Sequence, residues 1–292
     1  MRVATVSKED GEPIPVLLSD DGVGLALSGL GYSSVVDFIA AGAAAYSEAL
    51  AADLAVVGPL DSLTLWAPVP RPPRNAFAIG SNYKQHFDEG VRPAGSGMPE
   101  KPIIFTKPFT SIVGSGAPVA IAAAVADQVD WEAEIAVVIG TGGADISRSE
   151  ALDHVFGYCL ANDLSARTLQ LANAPMAQWF KGKSLDGFCP LGPWIVPRAD
   201  IADEGAIDVE LTVNGVTKQE FVSGNMYFDV PAIIEYLSLG MALLPGDVIL
   251  TGTSSGVGYW RDPKEFLHPG DEVVIRSSVL GVLTTPMVGA SA

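Results

Sequence analysis

Residues 129–140 hold the first pattern with chemistry in it: Val-Asp-Trp-Glu-Ala-Glu, then a β-branched run that stops at Gly140. Such a run reads as a strand, and strand side chains alternate faces with period two. Glu132 and Glu134 therefore point the same way, with Asp130 in step behind them. Carboxylates held close on one face repel each other. A pair of this kind marks a shared proton, a basic partner, a bound cation or a solvated edge strand. The surrounding Ile, Ala and Val favour burial. Asp163 ends another apolar segment, Cys159-Leu160-Ala161-Asn162-Asp163. Three carboxylates without clustered Cys or His form a hard, oxygen-rich set. That set suits Mg²⁺, Mn²⁺ or Ca²⁺ and argues against zinc.

His86 stands three residues before Glu89. On a helix the two share a face, and a carboxylate beside an imidazole fixes its tautomer and raises its basicity. Residues 90–102 are rich in Gly and Pro, so the stretch is expected to be mobile and to let the pair swing over a site. His154 and His268 have structural settings. Lys181-Gly182-Lys183 lies in an apolar stretch between Trp179 and Phe188; by itself it reads as solvated lysine. Residues 252–258 lack the Lys-Ser/Thr ending of a phosphate loop. Their backbone amides and the Thr253 hydroxyl are suited instead to hold a carboxylate. No G-x-S-x-G elbow is present, which leaves a serine hydrolase without support.

These residues must be positioned by a chain that alternates short strands with glycine and proline turns. Residues 1–68 read as a small leading unit with strands over 2–6 and 14–18. Ser33 or Ser34 is placed to cap a helix over 35–51. The proline-rich residues 68–74 form an extended linker. A strand over 76–80, a short helix over 82–90 and a strand over 103–107 follow. The pattern predicts a helix over 147–156, capped by Ser147 with Glu150 at the capping-box position. Asp229-Val230-Pro231 opens another helix, and Gly240 closes it. Pro-Gly-Asp turns at Pro245 and Pro269 launch strands over 248–251 and 272–276.

Composition sets the outer bounds. The chain has 292 residues, 48% of them hydrophobic and only 17% charged, with 31 Gly and 21 Pro. That is a turn-rich globular protein with ample core, not a disordered one. The formal charge of −17 makes nucleic acid and anionic membrane poor partners. An anionic substrate would need local positive charge from a metal, Lys or Arg. The two cysteines, Cys159 and Cys189, read as reduced core residues. No apolar signal region and no 18-residue apolar run are present, so the expectation is a soluble, cytoplasmic protein.

Taken together, six motifs in order resemble the fumarylacetoacetate hydrolase family. They are Asn-Tyr-x-x-His-x-x-Glu at 82–89, Phe-Thr-Lys-Pro at 105–108 and Asp-Trp-Glu-Ala-Glu at 130–134. Asn-Asp-Leu-Ser-Ala-Arg at 162–167, Gly-Lys-Ser at 182–184 and Pro-Gly-Asp-Val-Ile-Leu-Thr-Gly-Thr at 245–253 complete the set. The resemblance implies an α+β fold: a strand-dominated, mixed β-sheet roll with few helices, usually dimeric. The resemblance covers about residues 76–289, so with the leading unit read above the chain divides into a small N-terminal domain, 1–68, and a metal-dependent catalytic domain, 69–292. It implies Glu132, Glu134 and Asp163 as ligands of Mg²⁺ or Mn²⁺, and His86 with Glu89 as the water-activating dyad. Lys183 matches the family lysine beside the metal, and Gln170 matches a glutamine that holds the developing oxyanion. Thr253 matches a substrate-carboxylate contact; Tyr83 and Arg167, inside the first and fourth motifs, are expected substrate contacts beside it.

The implied activity is hydrolysis of a C–C bond in a 2,4-dioxo, acylpyruvate-like acid through a metal-held enolate, by a cytoplasmic homodimer. The alternative is a lyase or isomerase of the same family: an oxaloacetate-type decarboxylase, a 2-hydroxy-dienoate isomerase or a sugar-acid dehydratase. Two departures stand out. Residues 79–85 lack the extra acidic ligand of the founding animal enzyme, as the smaller bacterial members do. The loop reads Gly-Thr-Ser-Ser where many members have Gly-Thr-Pro, and residues 260–269 form an insertion.

Overall fold

In the strand Ala133–Ile139, Ala133, Ile135, Val137 and Ile139 enter one hydrophobic core while Ala136 and Val138 enter another. A strand buried on both faces belongs in the middle of a sheet. The computed structural model, which describes residues 1–8, 11–90, 97–125, 127–173 and 176–290, places it there. Among these residues the fold is α+β with strands dominant. The largest sheet has 12 strands, and its main path runs Val56–Pro59, Val23–Ala26, Ile14–Leu18, Arg2–Ser7, Cys189–Pro197, Val155–Asn162, Ala133–Ile139, Val248–Thr253, Ala76–Gly80, Ile103–Lys107. Most neighbours are antiparallel; Val248–Thr253 runs parallel to Ala76–Gly80, which makes the sheet mixed. A 5-stranded sheet packs beside it and includes Asp208–Val213, Val216–Val222, Glu272–Ser277 and Gly281–Gly289. The strand Arg2–Ser7 joins the larger sheet through the pairing of Val3 with Ile195.

Turn and cap chemistry works as the residue types dictate. Ser34 accepts a hydrogen bond from the Asp37 amide and starts a helix, Val35–Ala40. The helix expected over 35–51 is two helices, because Gly42 breaks it at φ 83° before Ala43–Ala51. Asp229 caps Val230–Ser238. Both Pro-Gly-Asp turns feed strands.

The helix expected over 147–156 is absent. Ser147 does bond to Glu150, but only a 3-10 turn, Ala151–His154, follows. From Val155 the chain is the strand Val155–Asn162, paired along Ala133–Ile139. Val, Phe and Tyr in that stretch pack better on a pleated sheet than on a helix, and the central ladder overrides the local signal. Cys159 and Cys189 are free and buried. Among the described residues no helix is long and apolar enough to cross a membrane. Of the stretch expected to be mobile, residues 91–96 lie outside the described residues.

Candidate active site

Ladder register brings the three carboxylates together. Ala133 pairs with Asn162, so Glu132 and Asp163 meet at the end of the ladder, where the Asp163 amide donates to the Glu132 carbonyl at 2.9 Å. Glu134 pairs with Thr253 on the other neighbour. One oxygen from each of Glu132, Glu134 and Asp163 lies within 4.8 Å of the others, and all three side chains are buried. Asp130, expected to share their face, does not join them. Its carboxylate accepts from the Gly258 amide at 2.7 Å, the Tyr259 amide at 3.0 Å and Arg167 Nε at 2.8 Å. Period-two alternation fails at this point because Trp131 and Glu132 lie between two strands, Val129–Asp130 and Ala133–Ile139.

Buried cations neutralise part of the cluster. Lys183 Nζ donates to Glu132 Oε2 and Asp163 Oδ2, both at 2.7 Å, and to Ser165 Oγ at 2.8 Å. Lys107 Nζ, fully buried, donates to Asp163 Oδ1 at 2.6 Å and to the Lys183 carbonyl. Arg167 reaches Glu132 Oε1 at 2.7 Å and Gln170 Oε1 at 2.8 Å. Burial by itself raises the Glu132 carboxyl, but Lys183 and Arg167 outweigh it and hold it at about 2. Burial works against the Lys183 ammonium too, yet Asp163 and Glu132 push it above its ordinary value. Glu134 goes the other way. Burial, then the charges of Asp163 and Glu132, raise it well above the carboxylate range, and the Gly252 amide at 2.6 Å is its hydrogen-bond donor. A buried carboxyl whose ionised form is disfavoured by two neighbouring carboxylates fits a site that a cation would complete. The all-oxygen donor set fits a hard divalent ion.

The dyad forms as the spacing implies. His86 and Glu89 lie on the helix Lys84–Glu89, with Nδ1 of the imidazole 2.7 Å from Glu89 Oε1. Asn82 anchors the start of this segment by donating to the Thr251 and Phe228 carbonyls. Glu89 Oε2 in turn accepts from the Gly256 amide at 2.8 Å.

One cavity of about 270 Å³ is lined by His86, the three carboxylates, Arg167, Gln170, Lys183 and Thr253. Tyr83 is not among its lining residues. Its ring is buried edge-on against Phe221, 5.0 Å away, so it is a core residue rather than an exposed substrate contact. Arg167 lines the cavity but spends its guanidinium on Asp130, Glu132 and Gln170. Thr253 also lines it, but its hydroxyl donates to the Ala133 carbonyl and accepts from Gln219 Nε2, both at 2.8 Å. The loop amides expected to grip a ligand's carboxylate hold the protein's own: Gly252 holds Glu134, Gly256 holds Glu89 and Gly258 holds Asp130. Lys107 and Gln219 were not foreseen as site residues. Lys107 had a signal, the single charge in Phe-Thr-Lys-Pro; Gln219 had none.

The profile described as fumarylacetoacetate (FAA) hydrolase C-terminal matches residues 75–288. The chain is 43% identical over 225 residues to oxaloacetate tautomerase YisK of Bacillus subtilis, covering 77% of this chain and 73% of that protein. It is 39% identical over 259 residues to the mitochondrial oxaloacetate tautomerase Fahd2a of Rattus norvegicus, covering 87% and 80%. A maleylpyruvate hydrolase from Sphingobium sp. SYK-6, solved with manganese(II) and pyruvate, superposes with a TM-score of 0.79 at 25% identity over the full length of both chains.

Proposed function

We propose that this chain, which belongs to the fumarylacetoacetate hydrolase family, interconverts the keto and enol forms of a short 2-oxo diacid of the oxaloacetate type. The observation that carries the reading is one small cavity lined by His86, which is paired with Glu89 behind it, and by three convergent carboxylates. Its volume, about 270 Å³, holds about nine waters at ~30 Å³ each, which suits a small acid. Sequence relatives at 39–43% identity over 77–87% of this chain are oxaloacetate tautomerases, and this similarity favours the isomerase alternative.

Glu132, Glu134 and Asp163 would hold Mg²⁺ or Mn²⁺, whose Lewis acidity makes the C–H beside a 2-oxo group easier to ionise. The protein's own residues supply the proton path. Glu89 accepts from His86 Nδ1, so Nε2 is the free basic nitrogen. His86 takes the proton from carbon 3, the C–H electrons form the C=C bond, and the same proton returns on the 2-oxygen. Arg167 occupies Gln170 Oε1, which leaves the Gln170 amide N–H₂ to donate to that oxygen as its charge grows. Lys183 keeps an ammonium beside the site, where it favours an anionic substrate.

A second reading keeps the same residues. Hydrolysis of a C–C bond in an acylpyruvate-like acid would use His86 to take a proton from water. The likeness to maleylpyruvate hydrolase supports it. One experiment separates the two: the ultraviolet decay of enol-oxaloacetate with Mg²⁺, beside cleavage of a panel of acylpyruvates. Acceleration over buffer that is lost in His86→Gln is the expected result. A protein that leaves enol decay at the buffer rate and cleaves acylpyruvates would sink the tautomerase reading. We also propose a homodimer, with the exposed Trp66 and Phe109 as apolar surface for it to cover; sedimentation equilibrium at the monomer mass would count against it.

A further inference from the structure

Trp131 is the residue of Asp-Trp-Glu-Ala-Glu that the chemistry above leaves unused. It is 1% exposed, and its indole Nε1–H donates to the Gly256 carbonyl at 3.2 Å. The same carbonyl accepts from Arg261 Nε at 3.2 Å, and Arg261 Nη2 is fixed to the Lys218 carbonyl at 2.7 Å. Two side chains thus hold one peptide oxygen. On its other side the Gly256 residue presents its N–H to Glu89 Oε2 at 2.8 Å, and Glu89 Oε1 lies 2.7 Å from His86 Nδ1. The backbone here has φ 100°, and a Cβ on Gly256 would stand 2.2 Å from the Lys218 carbonyl oxygen. Only glycine fits, so the two peptide groups that meet at its Cα can take this relative angle.

We propose that Trp131 and Arg261 are positioning residues for proton transfer: by holding the Gly256 carbonyl they fix the backbone of that residue, whose N–H, in the preceding peptide group, is thereby aimed at Glu89, which locks the tautomer and orientation of His86. The nitrogen that carries the proton is set by the hydrogen bond its partner makes. A carboxylate held at one oxygen only can rotate; one held at both cannot. Glu89 sits on a helix of only 6 residues, too short to hold it rigidly alone. The clamp therefore ties the dyad to Trp131, the immediate neighbour of Glu132. The link runs through the backbone of one residue, Gly256, and the two peptide groups that meet at its Cα.

The test uses Trp131→Phe and Arg261→Met in the full-length protein, with two readouts. The first is the pair of imidazole ¹⁵N shifts of His86 in two-bond ¹H–¹⁵N spectra, assigned by their loss in His86→Gln; with three histidines in the chain the assignment is direct. Wild type is expected as the Nδ1–H tautomer, and each variant as a mixture with Nε2–H. The second is turnover of enol-oxaloacetate, where kcat should fall about five- to tenfold per variant, the worth of one hydrogen bond, with KM within about twofold. The second readout rests on the proposed function; the first does not. If wild type lacks this turnover, the functional reading fails and the tautomer still decides the inference. Retention of a single Nδ1–H tautomer in Arg261→Met overturns it, whether or not Trp131→Phe folds. A fall in Mn²⁺ affinity that accounts for the lost kcat would overturn it too, since the clamp touches no carboxylate of the cluster.

Discussion

Glu132→Gln tests whether the cluster is held together by ion pairs or strained by repulsion. Same-face repulsion, taken alone, predicts that losing Glu132 relieves the site without lowering stability. The contacts reverse that sign. Glu132 receives Arg167 on one oxygen and Lys183 on the other, both at 2.7 Å, and is buried. A carboxyl held at about 2 rather than at its ordinary 4.5 contributes about 3 kcal/mol to folding at neutral pH. Because its folded value is depressed, that contribution is present above the unfolded value. It is lost as pH falls through the window between about 4.5 and about 2. The assay is urea unfolding in chelator at pH 7 and again near pH 3. At pH 7 the variant should be less stable by about 3 kcal/mol, and the gap should close as acid is added. A variant as stable as wild type at pH 7, or a gap that does not depend on pH, would refute the ion-pair account.

Glu134→Gln should do the opposite in chelator. Its carboxyl is raised by burial and by Asp163 and Glu132, so its ionised form costs stability as pH climbs above the ordinary range. The variant should therefore melt higher than wild type at pH 7, converge with it in acid, and lose Mn²⁺ binding in titration calorimetry. Lys107→Met leaves Asp163 Oδ1 and the Lys183 carbonyl without their buried donor; a loss of about 3 kcal/mol in urea unfolding is expected, and one below about 1 kcal/mol would make Lys107 a bystander. Gly256→Ala must move either its own backbone or that of Lys218 and adopt a strained φ, so it should cost roughly 2–4 kcal/mol. His86→Gln should lower turnover by about 10²–10⁴ while leaving Mn²⁺ affinity within about twofold, since the imidazole touches no carboxylate of the cluster.

What the sequence determined by itself was local. His86 and Glu89 share a helix face at a spacing of three, and the dyad forms as that spacing requires. Three carboxylates with no Cys or His beside them read as a hard, oxygen-rich set, and their oxygens do converge within 4.8 Å. The turns at Pro245 and Pro269 and the Asp229 cap were equally legible, because each rests on the conformational limits of one or two residues. The tertiary structure decided the partners. Lys107 meets Asp163 across 56 positions, and Asp130 meets the Gly258 amide across 128. The Thr253 hydroxyl is spent on Ala133, and Arg167 is spent on the residues around it. The segment over 147–156 became turn and strand once Ala133–Ile139 offered it a ladder. A residue's type says what it can donate or accept. Which group it meets depends on strand register, and register is set by the packing of whole faces, a long-range quantity that no short stretch of sequence carries.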